Sequence, residues 1–260
     1  MVTEATVFKK QIRKNRYELH CNDNELFLPT TGGTVNLFFF SPPYNIGSKS
    51  PAIINNRSKG GYDSKSYRGV TDYPDTLPEE DYQKQQIRII NACEQYMVSN
   101  GVLVYNHKNR YKNGRLSSPI EWLLKTNLEL AQEIIWNRGS THENGRSHPR
   151  PIDERLYVLK RKGAKMYYRP KEVSKNKLEN IPTILNIPPQ RENLHNAAFP
   201  LPLAEQVVEL FCPPGGLVSD IYSGSGTTMI ASLNKGRSFI GCEKLPKYFK
   251  LSISRFQEFI

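Results

Sequence analysis

Apolar residues cluster along this chain in short runs that predict β-strands. Residues 17–21 form a half-apolar run, and Val35–Phe40 is almost continuously apolar, which predicts a strand buried on both faces. Proline cannot donate a hydrogen bond to a β-ladder, so the second strand is predicted to end at Ser41, just before two prolines. Further strands are predicted at residues 102–105, 133–136, 154–159, 217–221 and 238–242.

Helix signals alternate with these strands. Thr76-Leu77-Pro78-Glu79 matches a capping box, and apolar residues from Ile87 to Met97 follow at helical spacing before a stop at Asn100-Gly101. Other helices are predicted at residues 120–126, 203–211, 227–233 and 246–259. The alternation of strands and helices, densest after residue 217, predicts an α/β fold with a mostly parallel sheet.

Long polar segments rich in cations interrupt these elements. A long loop is predicted at residues 44–73, a polar loop at 108–115, and a hairpin with a basic tip at 137–151. Among the 260 residues, 36 Lys and Arg outnumber 25 Asp and Glu, for a net charge of +11. This balance favours a polyanionic partner such as nucleic acid, although solubility or an anionic membrane surface would also suit it.

Composition disfavours several classes of protein. No run approaches the roughly 20 apolar residues of a membrane span, and the first 16 residues lack the apolar core of a secretory signal. The four cysteines lie too far apart for a disulfide framework or a zinc site. His107, His142 and His148 have no metal-ligand spacing and are expected at the surface or near phosphates. We therefore expect a cytoplasmic protein with no membrane partner and no metal.

A glycine loop, Ser223-Gly224-Ser225-Gly226-Thr227, lies between a predicted strand and a predicted helix. Glycines there let the backbone approach a ligand that faces the helix N-terminus, so the loop is a candidate cofactor site. Met229 replaces the third glycine of the dinucleotide fingerprint, and the Gly-Lys ending of a phosphate loop is missing. An ordinary tight turn is the alternative. Glu243 follows Asp220 by 23 positions, near the spacing at which an acid meets ribose hydroxyls.

Ser41-Pro42-Pro43-Tyr44 is the second candidate site. In isolation it would fit a polyproline surface turn or a peptide ligand equally well. The apolar Phe38-Phe39-Phe40 before it anchors the turn in a core instead. This turn and the glycine loop are therefore expected to open onto one edge of one sheet, where α/β proteins place their ligands.

Several segments together closely resemble the amino-methyltransferases of DNA, which move a methyl group from S-adenosylmethionine to an exocyclic amine. Ser41-Pro42-Pro43-Tyr44 is similar to their catalytic motif, residues 220–228 to their cofactor loop, and residues 195–200 to the segment before that loop. The order of these motifs resembles the permuted β group. The resemblance implies a Rossmann-like S-adenosylmethionine-dependent methyltransferase fold, circularly permuted, with a mostly parallel sheet and helices on both faces.

The resemblance also implies roles for individual residues. The family usually has proline where this chain has Ile221 and Asn196. The implied catalytic residues are Ser41, Pro42, Pro43 and Tyr44, and the implied cofactor-binding residues are Asp23, His195, Phe199, Pro200, Asp220, Tyr222, Ser223, Gly224, Ser225, Gly226, Thr227 and Glu243.

The implied chemistry suits these residue types. An exocyclic base amine is a poor nucleophile, because its lone pair is delocalised into the ring. If the Ser41 hydroxyl oxygen and the Pro42 carbonyl accept its two hydrogens, the nitrogen turns toward tetrahedral geometry and its lone pair is freed. Tyr44 is expected to stack on a base flipped out of the duplex, and the alternative is a core tyrosine with a bonded hydroxyl.

Serine before Pro-Pro-Tyr, and Phe199-Pro200, resemble the N4-cytosine branch of the family, whereas Asp or Asn before Pro-Pro-Tyr is usual for N6-adenine. We therefore expect site-specific N4-cytosine methylation of double-stranded DNA, with N6-adenine methylation as the alternative. Basic segments would neutralise phosphates. The expected DNA-binding residues are Lys49, Arg57, Lys108, Arg110, Lys112, Arg115, Arg138, Arg146, Arg150, Lys160 and Arg161.

The predicted organisation has three parts. Residues 1–160 form the catalytic part with DNA-facing loops, 161–194 a small basic insert that is a candidate target-recognition region, and 195–260 the cofactor-binding part of the same domain. A cognate restriction endonuclease is a candidate partner, and association with the nucleoid is expected. Three other hypotheses are a non-enzymatic nucleic-acid-binding protein on a Rossmann-like scaffold, an RNA or protein-amide methyltransferase, and a nicotinamide-dependent oxidoreductase, which Met229 and the charge disfavour.

Overall fold

The structure is a computed structural model that describes residues 6–32, 34–46, 75–112, 114–139, 149–169, 172–174, 177–178, 181–189 and 199–260. The strands within these residues are β1 (Thr6–Ile12), β2 (Asn15–Cys21), β3 (Val35–Phe40), β4 (Met97–His107), β5 (Arg110–Lys112), β6 (Arg115–Ser117), β7 (Leu128–Asn137), β8 (Asp153–Arg161), β9 (Glu172–Ser174), β10 (Lys177–Leu178), β11 (Ile184–Asn186), β12 (Leu217–Asp220) and β13 (Ser238–Glu243).

Nine of these strands form one central sheet. Their order is β1-β2-β13-β12-β3-β4-β8-β7-β11, while β5-β6 and β9-β10 form two small antiparallel pairs. Five neighbouring pairs of the central sheet are parallel, namely β2–β13, β13–β12, β12–β3, β3–β4 and β7–β11. The pairs β1–β2, β4–β8 and β8–β7 are antiparallel. The predicted mostly parallel sheet is therefore confirmed.

Helices cover both faces of this sheet. They are α1 (Asn24–Phe27), α2 (Glu79–Gln95), α3 (Ile120–Leu123), α4 (Leu201–Phe211), α5 (Thr227–Asn234) and α6 (Pro246–Glu258). Apolar side chains of α1, α2 and α3 belong to one core cluster, and those of α4, α5 and α6 belong to the other. Among the described residues, no helix combines the length and apolar character needed to cross a membrane.

The packing of β3 on both faces explains why its apolar run is continuous. Leu37 and Phe39 belong to the cluster that contains α4, α5 and α6, whereas Phe38 and Phe40 belong to the cluster that contains α2 and α3. All four side chains are fully buried. A strand covered by helices on both faces has no polar side to display, so the alternation typical of a half-exposed strand is absent.

One edge of the central sheet gathers the ends of many strands. Strands β2, β13, β12, β3 and β4 run parallel and end there, and we call this the carboxyl edge. Strand β8 is antiparallel to β4, so its first residues, Asp153 and Glu154, also lie at the carboxyl edge. Residues far apart in the sequence are thus brought to one side of the molecule.

The boundary between α2 and β4 differs from the prediction. Helix α2 begins at Glu79 with Pro78 as its N-cap and no capping hydrogen bond from a side chain, so the predicted capping box does not form. Strand β4 already begins at Met97, inside the segment assigned to the helix and its stop. Gly101 lies within this strand, where an added Cβ would approach the Val35 carbonyl oxygen to 3.2 Å. The glycine permits close packing of strands there and does not end a helix.

Several further strands are absent from the prediction. Strand β1 is a sheet edge whose residues are all exposed or only partly buried, so it lacks the apolar run that signals a strand. The predicted polar loop at 108–115 contains the hairpin β5-β6. Within the predicted insert 161–194, β11 pairs with β7 of the central sheet. The role of this insert in target recognition stays a prediction.

Replacing Phe39 with alanine tests the importance of the buried strand. Phe39→Ala removes a fully buried ring, so we expect the free energy of unfolding to fall by about 3–5 kcal/mol. The control is Leu124→Ala, at a side chain that is 68% exposed, for which a change within about 0.5 kcal/mol is expected. Urea unfolding measures both, and equal losses would contradict the two-faced burial of β3.

Candidate active site

The turn at residues 41–44, named the catalytic turn for its predicted role, and the glycine loop follow adjacent strands at the carboxyl edge. Strands β3 and β12 pair in parallel, with Leu37 opposite Val218 and Phe38 opposite Ser219. Further along, the rings of Phe40 and Tyr222 lie 5.7 Å apart. The expectation that both motifs open onto one edge of one sheet is therefore confirmed.

The backbone of the glycine loop requires its two glycines. Gly224 and Gly226 have φ angles of 51° and 81°, in the left-handed region that favours glycine. A Cβ at Gly226 would also lie 2.9 Å from the Cβ of Ser252 in α6. Gly226 is the N-cap of α5 and supplies no side-chain cap, so the first N–H groups of the helix are not capped by it.

Ser223 and Tyr222 line the start of this loop. The Ser223 hydroxyl is buried, and its oxygen has no hydrogen-bond partner among the described residues. A buried polar atom without a partner is costly unless a ligand or water completes it. The loop therefore has two features of a binding site. Its glycines let a ligand approach the backbone closely, and it contains a buried polar group without a partner among the described residues.

Glu243 fastens this loop to the sheet. Its Oε2 accepts a hydrogen bond of 2.9 Å from the Gly224 N–H, and its Oε1 accepts one of 2.8 Å from the Leu245 N–H. The side chain is almost completely buried at the end of β13. Both oxygens therefore position backbone N–H groups, and contact with a ribose stays a prediction.

Asp220 bonds to residues on both sides of the glycine loop. Its Oδ1 accepts the Tyr222 N–H at 2.9 Å and its Oδ2 accepts the Thr228 hydroxyl at 2.6 Å. Burial raises the pKa of this carboxyl from 3.8 to about 7, against the opposing effect of those hydrogen bonds. Both oxygens are therefore bound within the loop and its helix, and the assignment of Asp220 as a cofactor-binding residue stays a prediction.

Arg255 is a residue of the site that sequence reasoning missed. It is buried in α6, and its Nη1 donates to the Ser225 carbonyl at 2.6 Å and to the Ser225 hydroxyl at 3.0 Å. The same nitrogen lies 3.4 Å from the Thr227 hydroxyl. The sequence offers one signal for this role, a basic residue next to Phe256 within the last predicted helix. In the structure both side chains are buried in α6.

Three other predicted cofactor-side residues, Asp23, Phe199 and Pro200, lie at or next to the start of a helix. Asp23 is the N-cap of α1, accepts the Glu25 N–H at 3.0 Å and pairs with Lys244 at 3.1 Å. The Phe199 ring stacks on Phe39 with 4.7 Å between centroids, and Pro200 is the N-cap of α4. His195 lies outside the described residues.

In the catalytic turn, the hydroxyl of Tyr44 is fully engaged. It lies 2.8 Å from the Ser41 Oγ, donates to Glu154 at 2.8 Å and accepts from Asn106 at 3.0 Å. Burial, followed by the charge of Glu154, raises the pKa of Tyr44 well above its ordinary value. The hydroxyl thus matches the bonded-tyrosine alternative, while the side chain as a whole is only partly buried.

His107 is not the surface residue that was expected. It is fully buried at the end of β4, with Nδ1 2.7 Å from the Lys108 carbonyl and Nε2 2.9 Å from the Tyr82 hydroxyl. Burial lowers its pKa to about 3, so the ring is neutral at physiological pH. Its ring contacts that of Tyr44 at 4.4 Å, and Tyr82 donates to the Pro43 carbonyl at 2.8 Å. These contacts brace the turn.

Four of the predicted DNA-binding cations pair with acids within the fold, and the burial of Arg110 corrects the assignment of that residue. Arg110 is buried and pairs with Glu79 at 2.7 and 2.9 Å. Arg138 pairs with Glu154 at 2.8 Å. Lys160 and Arg161 end β8 at the opposite edge from the turn, where they pair with Glu129 and Glu94 respectively.

The remaining cations fall into two groups. The described part of the chain places Lys108 after β4, and it places Arg115 and Arg150 at exposed positions. Lys49, Arg57 and Arg146 lie outside the described residues, as do His142 and His148, and the side chain of Lys112 is not described.

Comparison with known proteins identifies the family. The family model described as DNA methylase (N6_N4_Mtase) matches residues 35–254. The chain belongs to this DNA methylase family. The methylase is 35% identical over 132 residues to the type II methyltransferase M.BglI of Bacillus subtilis, a match that covers 50% of this chain and 37% of the relative. It is 22% identical over 290 residues to M.ScaI of Streptomyces caespitosus, covering 98% of this chain and 88% of the relative.

Solved structures show the same fold. The PvuII DNA methyltransferase, titled cytosine-N4-specific, aligns with the methylase at a TM-score of 0.72 and 17% identity, over 94% of this chain and 91% of that one. TTHA0409 of Thermus thermophilus, solved in complex with S-adenosyl-L-methionine, aligns at 0.65 and 23% identity, over 93% of both chains. The expected Rossmann-like methyltransferase fold is confirmed.

The raised pKa of Asp220 predicts a pH effect on the stability of the methylase. Because its pKa is about 7 in the folded state and near 3.8 in a free chain, the folded protein binds this proton more tightly. The stability that Asp220 contributes is therefore greatest below about pH 4 and is lost as the pH rises to about 7.

Urea unfolding of the wild type and Asp220→Asn across this pH window measures the effect. We expect the wild type to lose stability relative to the variant as the pH rises, since asparagine does not titrate. A constant difference in the free energy of unfolding between the two proteins would contradict the prediction.

Proposed function

We propose that the protein transfers a methyl group from S-adenosylmethionine to the exocyclic N4 amine of cytosine at a specific site in double-stranded DNA. The observation that carries this proposal is the parallel pairing of β3 and β12, which sets the Ser41 turn beside the glycine loop. Membership of the DNA methylase family supports the reaction class. The serine before Pro-Pro-Tyr, and the N4-specific title of the PvuII enzyme, support cytosine.

The residues around the glycine loop fit the proposed cofactor. Bound S-adenosylmethionine supplies an electrophilic methyl group on a sulfonium centre. The left-handed glycines bring the backbone close to the ligand, and the uncompensated Ser223 hydroxyl is available to bond it. The proposed cofactor-side residues are Asp23, His195, Phe199, Pro200, Asp220, Tyr222, Ser223, Gly224, Ser225, Gly226, Thr227 and Glu243.

Ser41 and Pro42 are the proposed acceptors for the target amine. Two acceptors at a strand end hold the two amine hydrogens, which directs the nitrogen lone pair toward the methyl group. Fixed dipoles of this kind are typically worth about 2.7–4 kcal/mol each in the transition state. Pro42 and Pro43 restrict φ, and the Tyr82 hydroxyl holds the Pro43 carbonyl, so the acceptors keep their geometry.

Tyr44 is proposed to stack on the flipped base. Its hydroxyl is held on one side by Ser41 and Glu154, and its ring is braced by His107. A ring fixed in this way offers a stacking surface with little entropy to lose.

Cations of the basic segments are proposed to bind the DNA backbone. The proposed set is Lys49, Arg57, Lys108, Lys112, Arg115, Arg146 and Arg150. Affinity for DNA should then fall as salt rises, because each neutralised phosphate releases counterions.

Residues 161–194 remain the proposed target-recognition region. A cognate restriction endonuclease remains a proposed partner, and the cytoplasm remains the proposed location.

The reaction is tested with labelled S-adenosylmethionine and unmethylated genomic DNA, followed by digestion to nucleosides. We expect N4-methylcytosine. Recovery of N6-methyladenine would instead favour the alternative substrate, and DNA that stays unlabelled despite cofactor binding would reject DNA methylation.

Ser41→Ala tests the proposed acceptor. Loss of one fixed dipole should lower kcat by about 100- to 1,000-fold while cofactor affinity, measured by calorimetry, stays close to that of the wild type. Ser99→Ala, at an exposed position of β4, is the matched control and should retain activity. Turnover by Ser41→Ala at the wild-type rate would contradict the role of Ser41.

Glu243→Ala tests the loop fastening. The change frees two backbone N–H groups that bond to a charged side chain, each bond being worth about 1.5–3 kcal/mol, so cofactor affinity should fall about 10-fold or more. Glu258→Ala, at the exposed end of α6, is the control. Calorimetry measures the cofactor affinity of both variants, and Glu243→Gln provides a further variant in which the side chain keeps its size. Unchanged affinity in Glu243→Ala would contradict the role of Glu243 in holding the loop for the cofactor.

A further inference from the structure

A connected group of polar side chains lies behind the catalytic turn. Tyr44 bonds to both Ser41 and Glu154 at 2.8 Å, and the Asn106 amide nitrogen lies 3.0 Å from Tyr44 and 2.9 Å from Glu154. Arg138 donates to the other Glu154 oxygen at 2.8 Å. These side chains come from the ends of β3 and β4, the start of β8 and the residue after β7. The Glu154 side chain is only 10% exposed.

The direction of each hydrogen bond in this group follows from chemistry. A carboxylate has no hydrogen to give, so Glu154 accepts every bond it makes. The Tyr44 hydroxyl has one hydrogen, and its bond to Oε2 of Glu154 uses that hydrogen. The Tyr44 oxygen is therefore left as an acceptor toward its other neighbours.

Asn106 has only one satisfactory orientation in this group. Its Nδ2 has two hydrogens, which match the Tyr44 oxygen and the Glu154 Oε2. The flipped amide would place Oδ1 against a carboxylate oxygen, which is repulsive. Asn106 therefore donates to Tyr44, and its Oδ1 is left as a buried atom with no partner among the described residues.

The remaining bond, between Ser41 and Tyr44, then has a single polarity. Tyr44 has no second hydrogen, so the Ser41 hydroxyl must donate. Its only hydrogen points at Tyr44, and the lone pairs of its oxygen are free.

We propose that Glu154 is a positioning residue that, acting through Tyr44, makes the Ser41 hydroxyl an obligate hydrogen-bond acceptor for the target amine. The inference rests on the proposed function, since an amine presents hydrogens and needs acceptors. A hydroxyl free to rotate would spend part of its time presenting its own hydrogen to the amine, which is unproductive. Ser41 keeps its hydrogen throughout and does not act as a base; the methyl–sulfur bond breaks as the methyl–nitrogen bond forms, the sulfur leaves as a neutral thioether, and the proton that the methylated nitrogen then loses passes to solvent.

Arg138 completes the arrangement. Its guanidinium lies over the Trp136 ring at 5.5 Å and bonds Oε1 of Glu154, so Oε2 is the oxygen that faces Tyr44. A structural fastening of the β7–β8 hairpin would use the same ion pair. If Glu154 acts through Tyr44, removal of the Tyr44 hydroxyl should cancel the effect of changing Glu154. If Glu154 only fastens the hairpin, changing it should have the same effect with or without that hydroxyl.

The test is a double-mutant cycle with Tyr44→Phe and Glu154→Gln. Tyr44→Phe keeps the stacking ring, and Glu154→Gln introduces a donor that disturbs the polarity. Each change should lower kcat by about 10- to 100-fold, with little change in KM for DNA or in cofactor affinity. Because both act through one hydroxyl, the double variant should be no more than about twofold slower than Tyr44→Phe alone.

The matched control is Glu133→Gln on β7, whose carboxylate pairs with Arg155 on the neighbouring strand at 3.0 Å. It should keep the wild-type kcat. Wild-type turnover in Tyr44→Phe, or losses that multiply in the double variant, would overturn the inference while leaving the proposed function intact. Failure of the wild-type protein to methylate DNA would overturn the proposed function and, with it, this inference. Tyr44→Phe keeps the inference falsifiable even if Glu154→Gln fails to fold, because wild-type turnover in that variant would overturn it.

Discussion

The parallel pairing of β3 with β12 is the constraint on which the rest of the site depends. It places two strand ends side by side, although the segments lie about 180 residues apart in the sequence. The Asn36 side chain, which accepts the Leu217 N–H at 2.8 Å, secures the start of this pairing. Since both strands are buried, a slip of register would move apolar side chains to the wrong face and polar turns into the core. Core packing thereby fixes the position of the chemistry.

Buried acids hold both loops in place from behind. Glu243 and Asp220 bond to backbone N–H groups of the glycine loop, and Glu154 bonds to the tyrosine of the catalytic turn. A carboxylate accepts hydrogen bonds only, so Glu243 and Glu154 determine which neighbouring groups point toward them. Electrostatic preorganisation of this kind costs no reorganisation during the reaction.

Local patterns in the sequence predicted the elements that carry their own signals. The apolar run of β3, the glycine loop and the helices after residue 200 depend on neighbouring residues, and they appear at their expected positions. Glu154 and Arg255 could not be found in this way, because their partners lie 110 and 30 residues away. Arg110 was misassigned for the same reason: its ion pair with Glu79 spans 31 residues and converts an apparent surface cation into a buried one. Long-range pairing decides the role of a polar side chain, whereas sequence spacing reports only its neighbourhood.

The choice of serine at position 41 has a physical consequence for the residues around it. A carboxylate at that position would accept hydrogen bonds without help, but it would face the carboxylate of Glu154 across the Tyr44 hydroxyl, and two like charges in a poorly solvated site repel. A serine avoids this repulsion but needs its hydrogen held elsewhere, which the hydroxyl of Tyr44 provides. An uncharged Ser41 is therefore compatible with the nearby carboxylate of Glu154, and its hydroxyl donates to the acceptor that Glu154 leaves on Tyr44. In this chain the acceptor and the acid behind it are best understood as one functional unit, with Arg138 balancing its charge.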